Sequence, residues 1–282
     1  MKRLGIIGFC GLVVLSGVFA GPRQEAPGSR TGAQREAEQD ASLQNVLAKK
    51  KLIMGLDDSF PPMGFRNEAN EIVGYDVDLA KEAASRLGIE LVLQPIDWNA
   101  KEQELNTGEI DCIWNGFTIT EERKAALTFT NPYLRNAQVV VVKADAPYTT
   151  LQDLAGKTAG LQAGSSSVEA LNKAEALKAS LKGVVEYKEY LTALMDLEVG
   201  GVDAIVMDLV VANDNINRSG KAFRILEETL SPEEFGIGFR KRDLALANKV
   251  WETLEAMAKD GTVSRLAIKW FGADISIIPV DN

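Results

Sequence analysis

Histidine is missing altogether from the 282 residues. That absence removes Ser–His and Cys–His nucleophile pairs, imidazole acid–base chemistry and His-ligated zinc in one stroke. Cysteine is nearly missing too. Cys10 and Cys112 stand at a spacing that fits neither a metal site nor a redox C-x-x-C motif. Positive charge is in deficit, with 31 Lys and Arg against 40 Asp and Glu and a net charge of −9. A general nucleic-acid binder needs clustered cations, as does adhesion to anionic lipid, so neither partner is expected. Enzyme signatures are absent as well: there is no GxSxG, GxGxxG or SxxK. Gly156-Lys157-Thr158 resembles the tail of a phosphate-binding loop, but Leu151 stands where that loop requires glycine. The chain therefore reads as a non-enzyme with no cofactor and no metal.

What is present begins with an export pattern. Lys2 and Arg3 precede an uncharged run from Leu4 to Ala20 that closes on Val18-Phe19-Ala20-Gly21. Positive flank, short apolar stretch and small residues at the break mark a secretory leader spanning residues 1–20, with an uncleaved anchor as the alternative. Cys10 follows bulky Phe9 and sits too early to serve as an acylation site. Cleavage after Ala20 would remove two positive charges and take −9 to −11. Residues 21–42 lack Val, Ile, Leu and aromatics, so they cannot bury enough apolar surface to order themselves. A flexible linker over 21–44 is expected, and Cys112 then has no partner and reads as a small buried apolar residue.

From Leu52 onward, strands and helices alternate. Leu52–Leu56 reads as a strand and Asp57–Pro62 as a loop. Tyr75, Leu79, Ala83, Ala84 and Leu87 recur at helical spacing before Gly88. Further strands are expected near 89–93 and 110–114, with a helix near 100–105 between them. A second block follows the same alternation, with strands near 139–142, 158–161, 184–187 and 204–207, and a helix from about 166 to 177. A strand at 235–239 and helices from 244 to 269 follow. Such alternation implies α/β lobes, each a mostly parallel sheet flanked by helices. Ligands of these sheets lie beyond the carboxyl ends of the strands, here in a cleft between lobes.

Several residues at those strand ends suit a zwitterion, and each also has a plainer explanation. Ser166 and Glu169 have capping-box spacing, and a helix start there offers N–H groups to a carboxylate. Arg123 can clamp a carboxylate through two N–H groups or lie solvated at the surface. Asp208 can hold an ammonium or cap the next helix. Phe60 and Trp98 can sandwich a side chain or pack in the core.

Taken in order, seven segments resemble the periplasmic solute-binding proteins for polar amino acids of bacterial ABC importers. They are Asp57–Pro62, Gly74–Ala80, Gly116–Arg123, Phe129–Tyr133, Gln162–Ser166, Val202–Ala204 and Lys269–Gly272. The resemblance implies a periplasmic-binding-protein-like fold, two lobes joined by two crossover strands. Lobe 1 would take 45–135 and 233–282, and lobe 2 would take 136–232, with crossings near Tyr133–Ala137 and Ser231–Phe235. It implies that Arg123 and the backbone N–H of Ser166 meet the ligand carboxylate. Asp208, the Thr118 hydroxyl and the Gly116 carbonyl would hold the ammonium. Phe60 and Trp98 would flank the side chain, Asp57 and Gln162 would read its polar end, and Phe117 and Asn115 would shape the pocket. Met207 would offer an apolar contact. The implied protein is an extracytoplasmic monomer that passes its ligand to a membrane permease. A sensor domain and a dehydratase-like enzyme of the same fold are the alternatives. Negative charge at Asp57 favours a neutral or basic amino acid, glutamine-like or arginine/lysine-like, with cystine as a further possibility.

Overall fold

The computed structural model describes residues 40–280. The predicted leader, Cys10 and linker residues 21–39 lie outside the described residues. The end of the expected linker does not hold as drawn, because helix α1 (Ser42–Lys49) begins inside it. Val46 is buried in the main core, and the Ser42 hydroxyl accepts from Leu246 N–H at 3.1 Å. One apolar side chain and these backbone caps anchor a segment whose composition alone reads as unstructured.

After α1, strand β1 (Lys51–Leu56) leads to a small antiparallel sheet of β2 (Ser59–Phe60), β3 (Gly64–Arg66) and β4 (Ile72–Val73). Then come α2 (Tyr75–Leu87), β5 (Glu90–Pro95), α3 (Lys101–Thr107), β6 (Cys112–Thr118), α4 (Glu121–Ala126) and β7 (Leu127–Phe129). The long strand β8 (Leu134–Lys143) carries the chain into a second block. That block holds β9 (Thr158–Gln162), α5 (Ser166–Lys173), α6 (Glu175–Ser180), β10 (Gly183–Tyr187), α7 (Tyr190–Val199), β11 (Ala204–Asp208), α8 (Leu209–Ser219) and β12 (Phe223–Ile225). Strand β13 (Ser231–Arg240) returns, and α9 (Leu244–Lys259) and α10 (Thr262–Phe271) close the fold.

The main sheet has the order β10-β9-β11-β8-β13-β6-β1-β5, and β12 and β7 pair with β8 and β13. Its outer parts are parallel: β1 pairs with β5 and β6, and β9 with β10 and β11. Its middle is made by β8 and β13, which run antiparallel from Leu134↔Phe235 to Gln138↔Ser231. Beyond that stretch the two strands part company. β8 continues against β11 and β12, while β13 continues against β6 and β7. The result is an α/β fold of two lobes whose link is a pair of strands.

Local sequence explains the elements that position the site. Helix α2 buries Tyr75, Leu79, Ala80, Ala83 and Ala84 and stops at Gly88, whose φ of 69° lets its N–H reach the Ala84 and Ser85 carbonyls. β6 is buried at all seven positions, and it ends at Thr118 rather than near Trp114. The helix expected over 166–177 is two helices broken at Ala174, where ψ is 58°, and nothing in the sequence marks the break. Cys112 is fully buried in β6, and burial pushes its thiol well above the ordinary range.

Gly74 opens α2 at φ 147°, and a Cβ there would lie 2.2 Å from the Met63 carbonyl oxygen. That carbonyl accepts from Asp76 N–H, so it is not free to swing away. Gly74→Ala should lower stability by about 2 kcal/mol or more. A urea midpoint unchanged from the wild type would refute that packing constraint.

Candidate functional site

Each candidate residue leaves the sheet at a strand end or the turn that follows. Asp57 follows β1, and Phe60 lies in β2. Trp98 opens a single 3-10 turn after β5, Gly116 to Thr118 end β6, Gln162 ends β9, Ser166 begins α5 and Asp208 ends β11. Arg123 stands one turn into α4, whose backbone is fixed by the Thr120 hydroxyl accepting from Arg123 N–H at 3.2 Å.

Eight of the ten predicted residues line one cavity: Phe60, Trp98, Gly116, Thr118, Arg123, Gln162, Ser166 and Asp208, joined by Ser165. Asp57 and Phe117 stand behind that lining. Phe117 is fully buried, edge-on to Trp98 and stacked on Phe129, with the Arg123 guanidinium 4.4 Å above its ring. It therefore supports two wall residues instead of forming the wall. Asn115 likewise turns to the backbone, accepting from Asp57 N–H at 3.1 Å, and Met207 is wholly within the core.

Arg123 donates from Nη1 to the Thr118 carbonyl at 2.9 Å and from Nη2 to the Gly164 carbonyl at 3.3 Å. Those two bonds fix the plane of the fork, and the second crosses from one lobe to the other. Burial draws its pKa down, opposed by the acids Glu102, Glu233, Asp208 and Glu169. Asp208 occupies the N-cap position of α8 yet makes no side-chain cap. Its Oδ1 accepts instead from Asn136 Nδ2 at 2.7 Å and Gln138 Nε2 at 3.0 Å. Burial first, and Glu233 second, hold this carboxyl well above the usual carboxylate range. The capping-box expectation at Ser166 also gives way. Ser165 is the N-cap and makes no side-chain cap, while the Ser166 hydroxyl lies 3.1 Å from Thr118 Oγ1 and accepts from Gln138 Nε2 at 3.2 Å.

Asp57 meets Gln162 directly across the lobes, its Oδ2 accepting from Nε2 at 2.7 Å while Oδ1 accepts from Ser59 N–H at 2.8 Å. Burial dominates and pushes its pKa up to about 6. Lys101, which the sequence did not single out, also crosses, donating to Gly164 O at 2.8 Å and Trp98 O at 3.1 Å. Glu233, Asn136 and Gln138 were missed as well. The last two alternate with apolar neighbours at the start of β8, and polar residues recurring every second position in a buried strand are a legible signal. Among the described residues no group of three or more Cys, Asp or Glu is set to hold a metal ion.

With all these contacts made, the lined cavity is only about 10 Å³. Small-molecule pockets run to hundreds of Å³. A ligand can reach these residues only after the cross-lobe contacts at Asp57–Gln162, Thr118–Ser166 and Gly164 part.

Residues 52–273 match the family described as bacterial extracellular solute-binding proteins, family 3. The L-cystine-binding protein TcyJ of Escherichia coli K12 is 32% identical over 238 residues, 83% of this chain and 87% of that protein. An ABC uptake transporter substrate-binding protein of Streptococcus pneumoniae, solved with bound histidine, is 36% identical with a TM-score of 0.82, covering 85% of this chain and 99% of that one. The protein Tv2483, solved with L-arginine, is 39% identical with a TM-score of 0.82, covering 86% of this chain and 99% of that one.

Because its pKa is raised from the ordinary value of 3.8 to about 6, Asp57 ionises less readily in the fold than in the unfolded chain. Its charge therefore lowers stability as pH climbs from about 4 through about 6, and the loss persists above that range. Asp57→Asn should be more stable than the wild type by about 1–3 kcal/mol at pH 8, with the difference shrinking toward pH 4. Thermal melts at both pH values read this directly, and a difference that does not change with pH would contradict the buried-charge assignment.

Proposed function

The chain belongs to the bacterial extracellular solute-binding proteins, family 3, and we propose that within this family it captures a neutral or basic polar amino acid. It is a transport binding protein and not an enzyme, and it hands its ligand to the membrane permease of an ABC importer. The observation that carries the ligand reading is the pairing of a guanidinium and a carboxyl group, Arg123 and Asp208, on the walls of one desolvated cavity. A free α-amino acid presents the complementary pair of charges at one carbon.

In this reading Arg123 and the Ser166 N–H receive the carboxylate. Asp208, the Thr118 hydroxyl and the Gly116 carbonyl receive the ammonium. Phe60 and Trp98 cover the methylenes, and Gln162, with Asp57 behind it, reads the far end of the side chain. A second carboxylate at that end would face Asp57 across a partly dry space, where repulsion far exceeds its value in water. An amide or amine meets a ready acceptor there. Residues 1–20 route the chain out of the cytoplasm as a secretory leader. Lobe 1 comprises 42–135 and 233–280, lobe 2 comprises 136–232, and the mature protein acts as a monomer.

Purified mature protein titrated with glutamine, arginine, lysine, cystine, glutamate and aspartate should prefer a neutral or basic ligand. Tighter binding of either acidic amino acid would overturn the assignment of Asp57. For the preferred ligand, Arg123→Ala should cost about 3 kcal/mol, on the order of a hundredfold in affinity. Small-angle scattering should show a smaller radius of gyration at saturation, because the ligand bridges lobes that must part to admit it. An unchanged radius would count against closure.

A further inference from the structure

Glu233 sits on the crossover part of β13, and its carboxylate is the hub of the hydrogen bonds beside Asp208. Its Oε2 accepts from Thr118 Oγ1 at 3.0 Å, Gln138 Nε2 at 3.0 Å, Asn136 Nδ2 at 3.2 Å and Ser166 Oγ at 3.3 Å. Two of those donors, Asn136 Nδ2 and Gln138 Nε2, also serve Asp208 Oδ1. Oxygens that share two nitrogens lie in the few-ångström range where like carboxylates resist joint ionisation. Among the described residues neither acid has an ion-pair partner. Arg123 is the nearby cation that acts on both, but its Nη1 and Nη2 bonds go to the Thr118 and Gly164 carbonyls.

We propose that Glu233 is a second acid of the ammonium receptor: without ligand, Asp208 keeps its proton beside the Glu233 carboxylate, and the ammonium of the bound amino acid takes that proton's place. This rests on the amino-acid reading above and extends it to a residue that does not line the central cavity. The exchange balances. A pair with one proton and one negative charge meets a cation, both carboxylates end ionised around it, and one proton leaves to solvent. Glu233 provides the way out. It is half-exposed and faces a crevice of about 150 Å³ on its far side. The titratable groups around the pair are Arg123 on α4, Tyr190 on α7, Glu121, Glu169 and Lys173 across that crevice, and Lys124, Arg135 and Glu234 around a second crevice that Glu233 also lines. Burial and the neighbouring Glu233 raise Asp208 well above its ordinary pKa, in keeping with a retained proton.

Calorimetric titration of the mature protein with its tightest amino acid, in buffers of different ionisation enthalpy, reads the proton. The wild type should release about one proton per ligand below the pair's titration, with affinity rising about tenfold per pH unit there. Glu233→Gln should lose most of that release and flatten the pH profile, and Glu233→Asp should restore it. Binding by the wild type with no dependence on buffer at any pH would overturn the proposal, as would full release by Glu233→Gln. Should either Glu233 variant fail to fold, the wild-type measurement still decides. Failure of the wild type to bind any amino acid would overturn the underlying reading, and this proposal with it.

Discussion

Five register pairs between β8 and β13, from Leu134↔Phe235 to Gln138↔Ser231, carry the geometry of everything else. Those strands are continuous with the core of each lobe, so a small twist between them becomes a large displacement at the rim. The site is arranged around that fact. Arg123, Gly116, Thr118, Phe60 and Trp98 belong to elements on one side, and Gln162, Ser166 and Asp208 to elements on the other. Neither lobe alone presents both charges of the receptor. In the proposed mode, ligand recognition and lobe closure are one equilibrium, with differential contact in the closed state as its driving force.

Charge burial sets a cost against that closure. Asp57 and Asp208 are each almost wholly withdrawn from water, and each has its pKa raised by that withdrawal. Half-buried Arg123 is drawn the opposite way by the same desolvation. A buried charge that keeps its hydrogen bonds but lacks a counter-charge destabilises the closed form relative to the open one. In the proposed mode a zwitterion supplies the counter-charges of Arg123 and Asp208. The same residues thus disfavour spontaneous closure and reward closure on the correct ligand, which is how a binding site gains selectivity at the expense of stability.

Much of this was legible in the chain. Gly88 ends a helix whose apolar spacing is plain, and the carboxyl end of the 204–207 strand locates Asp208, whereas Gln162 and Thr118 come from the resemblance to the solute-binding family. Residues whose role depends on long-range pairing were not legible. Phe117 looked like a pocket aromatic because it stands between Gly116 and Thr118, but alternation along β6 turns it to the opposite face, under Arg123 and Trp98. Ser166 looked like a cap because the S-x-x-E spacing is local, whereas its true partners, Thr118 and Gln138, lie 48 and 28 residues away. Helix α1 was hidden because the stretch poor in apolar residues runs to Ser42, where the helix begins, and its apolar residues Leu43 and Val46 come only after that point.

Glu233 shows why the missing part was missing. In the sequence it is one acid of a Pro-Glu-Glu stretch, and nothing local distinguishes it from its exposed neighbour Glu234. Strand pairing separates the two: Glu233 registers with Asn136 and Glu234 with Arg135. Side chains on adjacent positions of a strand point to opposite faces, so only one of the two acids can reach the Asn136–Gln138 side of β8. Its charge then belongs to the receptor, although its backbone belongs to the hinge. A hinge residue that is also an electrostatic part of the site couples the two directly.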